Sequence, residues 1–119
     1  MNIPQKVEII EVGPRDGLQN EPMPISTQAK KELVKRLADT GISRMETAAF
    51  VSPEWVPQMA DADEICAYCN DLGINYIALT PNMKALERAI AAHVPQIAVF
   101  VGASTVFNQK NINKSTAES

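Results

Sequence analysis

The 119 residues suit one small domain, and a formal net charge of −3 with both signs interspersed leaves no basic patch for nucleic acid or an anionic membrane surface. No apolar run approaches the roughly 18–20 residues of a membrane span, and Met1–Gln5 lacks the charged-then-apolar layout of a secretory signal, so a cytoplasmic protein is expected. Cys66 and Cys69 form an isolated C-x-x-C, whereas a zinc site would need two more ligands and the chain holds a single, distant histidine, His93.

In chain order, Val7–Val12 is short, rich in β-branched residues and bounded by Gly13-Pro14, which predicts a strand. Polar groups then crowd the turn: Arg15, Asp16, Gln19, Asn20 and Glu21. Ser26 and Thr27 can cap a helix that carries Leu33, Val34, Leu37 and Ala38 on one side and stops at Gly41. Ser43–Thr47 reads as a second strand, followed by a connection, Phe50–Pro57, with unusually many bulky apolar residues and two prolines. A second helix, about Asp61 to Leu72, ends at Gly73; Ile65, Tyr68, Cys69 and Leu72 share one face, so Cys69 belongs to the core. Ile74–Thr80 is a third strand, Asn82 caps a third helix before Pro95, and Ile97–Val101 is a fourth strand. His93, in the last turn of the third helix, suits a contact with the helix dipole. The capping-box pattern Ser115-Thr116-Ala117-Glu118 announces a further helix, and only Ser119 follows.

Strands alternating with helical periodicity give an α/β fold of parallel β/α units. The reading is four strands and three helices, ending before a fourth helix. In such folds ligands gather beyond the carboxyl ends of the strands, where Arg15, Asp16 and Asn82 fall.

The run EVGPRDGLQNE at 11–21, METAAFVSPEWVPQM at 45–59, LTPN at 79–82 and QKNIN at 109–113 resemble, in this order and along nearly the whole chain, the amino-terminal part of a 3-hydroxy-3-methylglutaryl-CoA lyase. The wider superfamily of metal-dependent TIM-barrel lyases and acyl-CoA condensing enzymes shares the Arg-Asp-Gly kernel, and Gly13-Pro14 favours the lyase branch. The resemblance implies that residues 1–119 are the amino-terminal half of a TIM (β/α)8 barrel lyase domain, since a complete barrel takes about 250 residues. It implies retro-Claisen cleavage of 3-hydroxy-3-methylglutaryl-CoA to acetyl-CoA and acetoacetate, a part in leucine degradation, an acyl-CoA substrate, a divalent metal (Mg²⁺ or Mn²⁺) and a homo-oligomer.

Residue by residue, the resemblance makes Asp16 the metal ligand and Arg15 the group that contacts substrate and stabilises the enolate. Glu46, an acid in a strand, is expensive unless paired, and orienting Arg15 is its expected catalytic part. Gln19 is a weaker candidate for substrate binding, and Lys110 and Asn111 fall where the family receives CoA. Glu11 has the better claim to a structural role. The family's His-x-His pair, metal-binding asparagine and catalytic cysteine loop have no counterpart in these residues; neither Cys66 nor Cys69 matches the last. Pro22 stands where many members have lysine, and Ala48-Ala49 where hydroxyl residues are common. The 119 residues alone are therefore expected to be inactive, and the alternative is a noncatalytic half-barrel that associates with itself or with a complementary half.

Overall fold

The computed structural model describes residues 1–115, 117 and 118, the side chains of Asn111 and Ile112 excepted. Four parallel strands, β1 (Ile10–Glu11), β2 (Arg44–Ala49), β3 (Tyr76–Leu79) and β4 (Gln96–Ala98), lie in sheet order β1-β2-β3-β4. Three helices connect them: α1 (Thr27–Asp39), α2 (Ala62–Leu72) and α3 (Met83–Ala91). All three pack on one face of the sheet, where Val34, Ile65, Cys66, Cys69, Ala85 and Ala89 meet Met45, Ala48, Tyr76 and Ala78 in one buried cluster. Sequential parallel strands with every connecting helix on one side are the layout of a (β/α) barrel.

The local signals explain the helix bounds. Ser26 Oγ accepts from the Ala29 N–H at 3.1 Å, and Gly41 takes φ +89° just beyond α1. Gly73 closes α2 at φ +65°, with the Ile74 N–H reaching the Cys69 carbonyl at 3.1 Å. Asn82 Oδ1 caps α3 by accepting from the Ala85 N–H at 2.9 Å.

His93 does not sit inside α3. It takes φ +55° as the left-handed residue just past the helix, its N–H bonded to the Ile90 carbonyl at 3.0 Å while the Val94 N–H bonds to Ala89 at 3.1 Å. This is a position glycine usually fills, and it gives the histidine a turn-forming role at the surface.

Besides shifts of one to three residues at the ends of β2, β3 and β4, three features differ from the sequence reading. β1 covers two residues only, because Val7 and Ile9 stand 71% and 72% exposed and take no part in the ladder. The buried side of α2 is Ala62, Ile65, Cys66 and Cys69, so it is turned away from Leu72, which is exposed. The third difference is a fourth α-helix, α4 (Thr105–Ile112), in the segment read as the loop after β4. Ser104 Oγ caps it by accepting from the Phe107 N–H at 3.3 Å, and Asn108, fully buried, clamps the Gly102 backbone with bonds of 2.8 and 2.7 Å. The expected capping box further on shows its reciprocal bond: the Ser115 N–H donates to Glu118 Oε2 at 2.9 Å.

Burial pushes the Cys66 thiol up to about 12 and the Cys69 thiol up to about 11, and hydrogen bonds with Tyr76 and Thr47 only partly oppose it. Both groups favour the neutral form in the folded chain, so their contribution to stability is complete below about pH 9, the ordinary thiol value. It is lost as pH rises through 11 and 12. A thiol-directed disulfide reagent at pH 8 is expected to leave both cysteines unmodified in the native protein and to label both in urea. Rapid native labelling of either would contradict the burial.

Candidate functional site

The site is built at the end of β1. Beyond Val12 the backbone makes a wide helical turn, Gly13–Gly17, in which the Leu18 N–H reaches back five residues to the Gly13 carbonyl. The Val12 carbonyl accepts from three successive N–H groups, those of Arg15 (3.1 Å), Asp16 (2.8 Å) and Gly17 (3.4 Å). Such widened turns recur at functional sites because they re-aim side chains. Pro14 lacks an N–H, and a first helical turn has no partner to offer one. Gly13 lets Glu11 fold over the turn, Oε1 accepting the Gly13 N–H at 2.6 Å; a Cβ on Gly13 would stand 2.7 Å from that oxygen and displace it. Glu11 is thus engaged with backbone.

The turn delivers Arg15 across to β2. Arg15 Nε donates to Glu46 Oε1, Nη1 donates to Asp16 Oδ1 at 3.2 Å, and Nη1 also reaches Gln19 Oε1 at 3.5 Å. The Arg15 and Glu46 side chains are 16% and 11% exposed, so the pair is largely desolvated, while Asp16 is 58% exposed. Nη2 of Arg15 and Oδ2 of Asp16 have no protein partner among the described residues. One guanidinium between two carboxylates leaves the cluster with a net negative charge. An open carboxylate oxygen there suits a hard divalent cation such as Mg²⁺ or Mn²⁺, as a single ligand. Among the described residues no three His, Cys, Asp or Glu side chains gather to hold a metal.

Glu46 faces the site by ordinary strand alternation with the buried Met45, and an irregularity in β2 follows it. Glu46 is in register with Ile77 and Ala48 with Ala78, so Thr47 is an extra residue in the ladder. Thr47 and Ala48 both turn toward the helices, where Thr47 Oγ1 accepts from Cys69 Sγ at 3.7 Å and Ala48 joins the core. Ala49 instead packs with Met59 and Leu79, half-covered by Leu18, Val51 and Val56. Bulges next to a site commonly re-aim one side chain in this way.

Of the residues singled out from sequence, Arg15, Asp16, Gln19 and Glu46 come together. Lys110 is exposed in the last turn of α4, with no hydrogen bond or ion pair to that cluster among the described residues. The side chain of Asn111 lies outside the described residues. In the 50–57 connection Phe50 is core, lying 5.0 Å from the Arg88 guanidinium, whereas Trp55 is exposed.

A second polar group was not foreseen. Lys30 in α1 is 5% exposed; its ammonium donates to the Gln58 carbonyl and to Asp61 Oδ1 at 2.8 Å, and Thr27 Oγ1 donates to Asp61 Oδ2 at 2.8 Å. A signal existed, since Lys30, Val34 and Leu37 are spaced i, i+4 and i+7 on the apolar stripe of α1.

Residues 6–119 match the HMGL-like family over almost the entire chain. The chain belongs to the HMGL-like family. It is 50% identical over 118 residues to the mitochondrial hydroxymethylglutaryl-CoA lyase of Pongo abelii, covering 98% of this chain and 36% of that protein. The HMG-CoA lyase of Bacillus subtilis superposes with a TM-score of 0.90 at 45% identity, over 99% of this chain and 40% of that one. An HMG-CoA lyase from Acinetobacter baumannii, in complex with coenzyme A and 3-methylmalate, superposes with a TM-score of 0.85 at 34% identity, over 93% of this chain and 37% of that one. The chain therefore spans less than half the length of these relatives, and its four parallel strands with their helices superpose on part of a TIM barrel. Among the described residues no helix is long and apolar enough to cross a membrane.

Removing one member of a largely buried ion pair leaves the other charge unpaired. Glu46→Ala is expected to lower the unfolding free energy by about 2–3 kcal/mol, somewhat under the cost at a fully buried pair. In a double-mutant cycle with Arg15→Ala the two losses should not add, because the double variant leaves no orphaned charge. Additive losses in urea unfolding would show that the two side chains act separately.

Proposed function

We propose that this chain supplies the amino-terminal part of the active site of a lyase that splits 3-hydroxy-3-methylglutaryl-CoA into acetyl-CoA and acetoacetate. The observation that carries this reading is the Arg15–Glu46 pair, beside Asp16 at adjoining strand ends. Glu46 holds Arg15 through Nε, so the guanidinium is aimed and its Nη2 edge stays available to substrate. In the reaction the substrate's tertiary hydroxyl loses its proton, the carbon–carbon bond breaks, and the bonding pair passes to the thioester as an enolate. Arg15 is suited to hold that developing oxyanion, a donor role whose loss typically costs 10²–10³-fold in rate.

Asp16 would hold a divalent ion, Mg²⁺ or Mn²⁺, whose charge lowers the cost of deprotonating the substrate hydroxyl. The enolate must finally take up a proton to give acetyl-CoA. Cys66 and Cys69 are on the helix side of the sheet, buried and neutral, and neither can supply it. The proton donor and the other metal ligands therefore come from outside these residues. We assign Gln19 to the substrate near Arg15, and Lys110 with Asn111 to the CoA portion. The reading carries with it a cytoplasmic location, a place in leucine breakdown and a homo-oligomeric state.

The same reading makes the 119-residue polypeptide inactive alone, since one carboxylate with water is a weak metal site. A noncatalytic half-barrel, associating with itself or with a complementary half, is the second reading. It is favoured by apolar side chains exposed at both edges of the sheet, Ile9, Ile10 and Val12 beside Ile97, Val99 and Val101.

Metal-dependent release of acetoacetate by the full-length protein, absent from the isolated 119 residues, is the expected outcome. Arg15→Lys should lower kcat by about 10²–10³-fold, and Asp16→Asn should raise the metal concentration needed for half-maximal rate. Full activity in Asp16→Asn at low metal would remove Asp16 from the site. Growth in size with concentration, together with no turnover by the full-length protein, would favour the second reading.

A further inference from the structure

The chain between the Gly13–Gly17 turn and α1, residues 18–25, has no regular strand or helix of its own beyond Gln19, yet it carries groups that touch Arg15 and Asp16. Gln19 Oε1 lies 3.5 Å from Arg15 Nη1, and Asn20 Nδ2 donates to the Asp16 carbonyl at 2.8 Å. What holds this strap down is one side chain from the short turn Pro57–Met59 that precedes α2. Gln58 Oε1 accepts from the Ile25 N–H at 2.9 Å, while Gln58 Nε2 donates to the Met23 carbonyl at 2.9 Å and to the Glu21 carbonyl at 3.3 Å. A carboxamide is the side chain that can both give and accept to backbone in this way, as an added peptide group would.

Gln58 is itself fixed. The buried Lys30 ammonium binds the Gln58 carbonyl and Asp61, so α1, the turn and the start of α2 form one unit. Next to it Met59 packs in the cluster that Leu18 covers, giving the strap an apolar anchor near its beginning and a polar one along its end. Both anchors stand in one short turn, Pro57–Met59.

We infer that Gln58, held by Lys30, is a positioning residue: it fixes the 18–25 strap and through it the aim of Arg15 and Asp16. This rests on the lyase reading only where turnover is used as the readout. Without Gln58 the strap keeps its Leu18 contact but loses three backbone hydrogen bonds, so the wide turn should open more often while the sheet stays intact.

The test has two independent measurements in the full-length protein. Amide hydrogen exchange should be at least tenfold faster in Gln58→Ala at Ile25 and also at Asp16 and Gly17, while the Phe50 amide, bonded to Leu79, stays unchanged. Gln58→Glu separates acceptor from donor. It keeps an oxygen for Ile25 but cannot donate to Glu21 or Met23, so Asp16 and Gly17 should exchange as fast as in the alanine variant. Acceleration at Ile25 alone, with Asp16 and Gly17 unmoved, would overturn the inference, as would full rescue by Gln58→Glu.

For turnover, Gln58→Ala should lower kcat at least tenfold with KM changed less than twofold. Val34→Ala, a core variant away from the strap, should lose stability and keep kcat within twofold. Equal kcat losses in the two variants would reduce Gln58 to a stability role. Absence of turnover in the wild-type protein would end the lyase reading and leave the exchange measurement to decide the positioning role.

Discussion

A carboxylate on the sheet at Glu46, 8% exposed, must have a cation brought to it, and much of the local architecture follows from that demand. The cation is Arg15, on the neighbouring strand's connection rather than on a strand. Its guanidinium reaches Glu46 because the chain leaves β1 through a widened turn, which Gly13 permits by leaving room for Glu11 and Pro14 permits by needing no N–H partner. On the β2 side, Glu46 faces Arg15 by alternation with Met45, and the extra residue Thr47 then sends both itself and Ala48 to the helix side. One widened turn and one ordinary strand position thus meet in a single ion pair. The pair in turn leaves Asp16 at the solvent edge, where a carboxylate can exchange ligands.

The small residues of β2 have a reason in the same geometry. Ala48 is packed against helix side chains and Ala49 against Leu79 and Met59. The polar cluster of Arg15, Asp16, Gln19 and Glu46 is bonded together without either of them. Pro22 is different in kind. It falls in the exposed strap that Gln58 holds, where its ring stiffens the backbone.

Alternation of strand and helix patterns, the caps Ser26 and Asn82, and the stops Gly41 and Gly73 were legible in the sequence because each depends on a few adjacent residues. The joining of Arg15 to Glu46 was legible for a different reason: a strand acid and a nearby cation each have few alternatives once desolvated. What escaped was whatever apolar periodicity does not record. Val7 and Ile9 have strand composition, but a strand at a sheet edge extends only as far as its neighbour's ladder. α4 escaped because its sequence has no apolar stripe; it is held by the Ser104 cap and by Asn108 gripping Gly102, contacts that periodicity does not register. Lys30 and Gln58 escaped because a buried lysine on an amphipathic helix and a glutamine in a turn are each ordinary until their partners are brought beside them.

The two faces of the sheet are completed to different degrees. Toward the helices, Val34, Met45, Cys66, Cys69, Tyr76 and Ala78 are all without exposure, and the Tyr76 hydroxyl is satisfied by Asn70 at 3.0 Å. On the opposite face Arg44 stretches from Glu8 at 2.9 Å to Gln96 at 2.6 Å, and its buried Nε has no partner among the described residues. An unsatisfied buried donor costs about 1–3 kcal/mol, so this face has hydrogen-bonding capacity in excess of what β1 to β4 absorb. Glu46 lies on that same face, two residues along β2 from Arg44, and hands its one cation toward the strand ends. The requirement for further partners and the chemistry of the site therefore coincide: additional strands that complete the inner layer around Arg44 would also surround Arg15 and Asp16. A chain that covers less than half the length of its relatives can thus have a finished helix-side core while the opposite face keeps hydrogen-bonding capacity to spare.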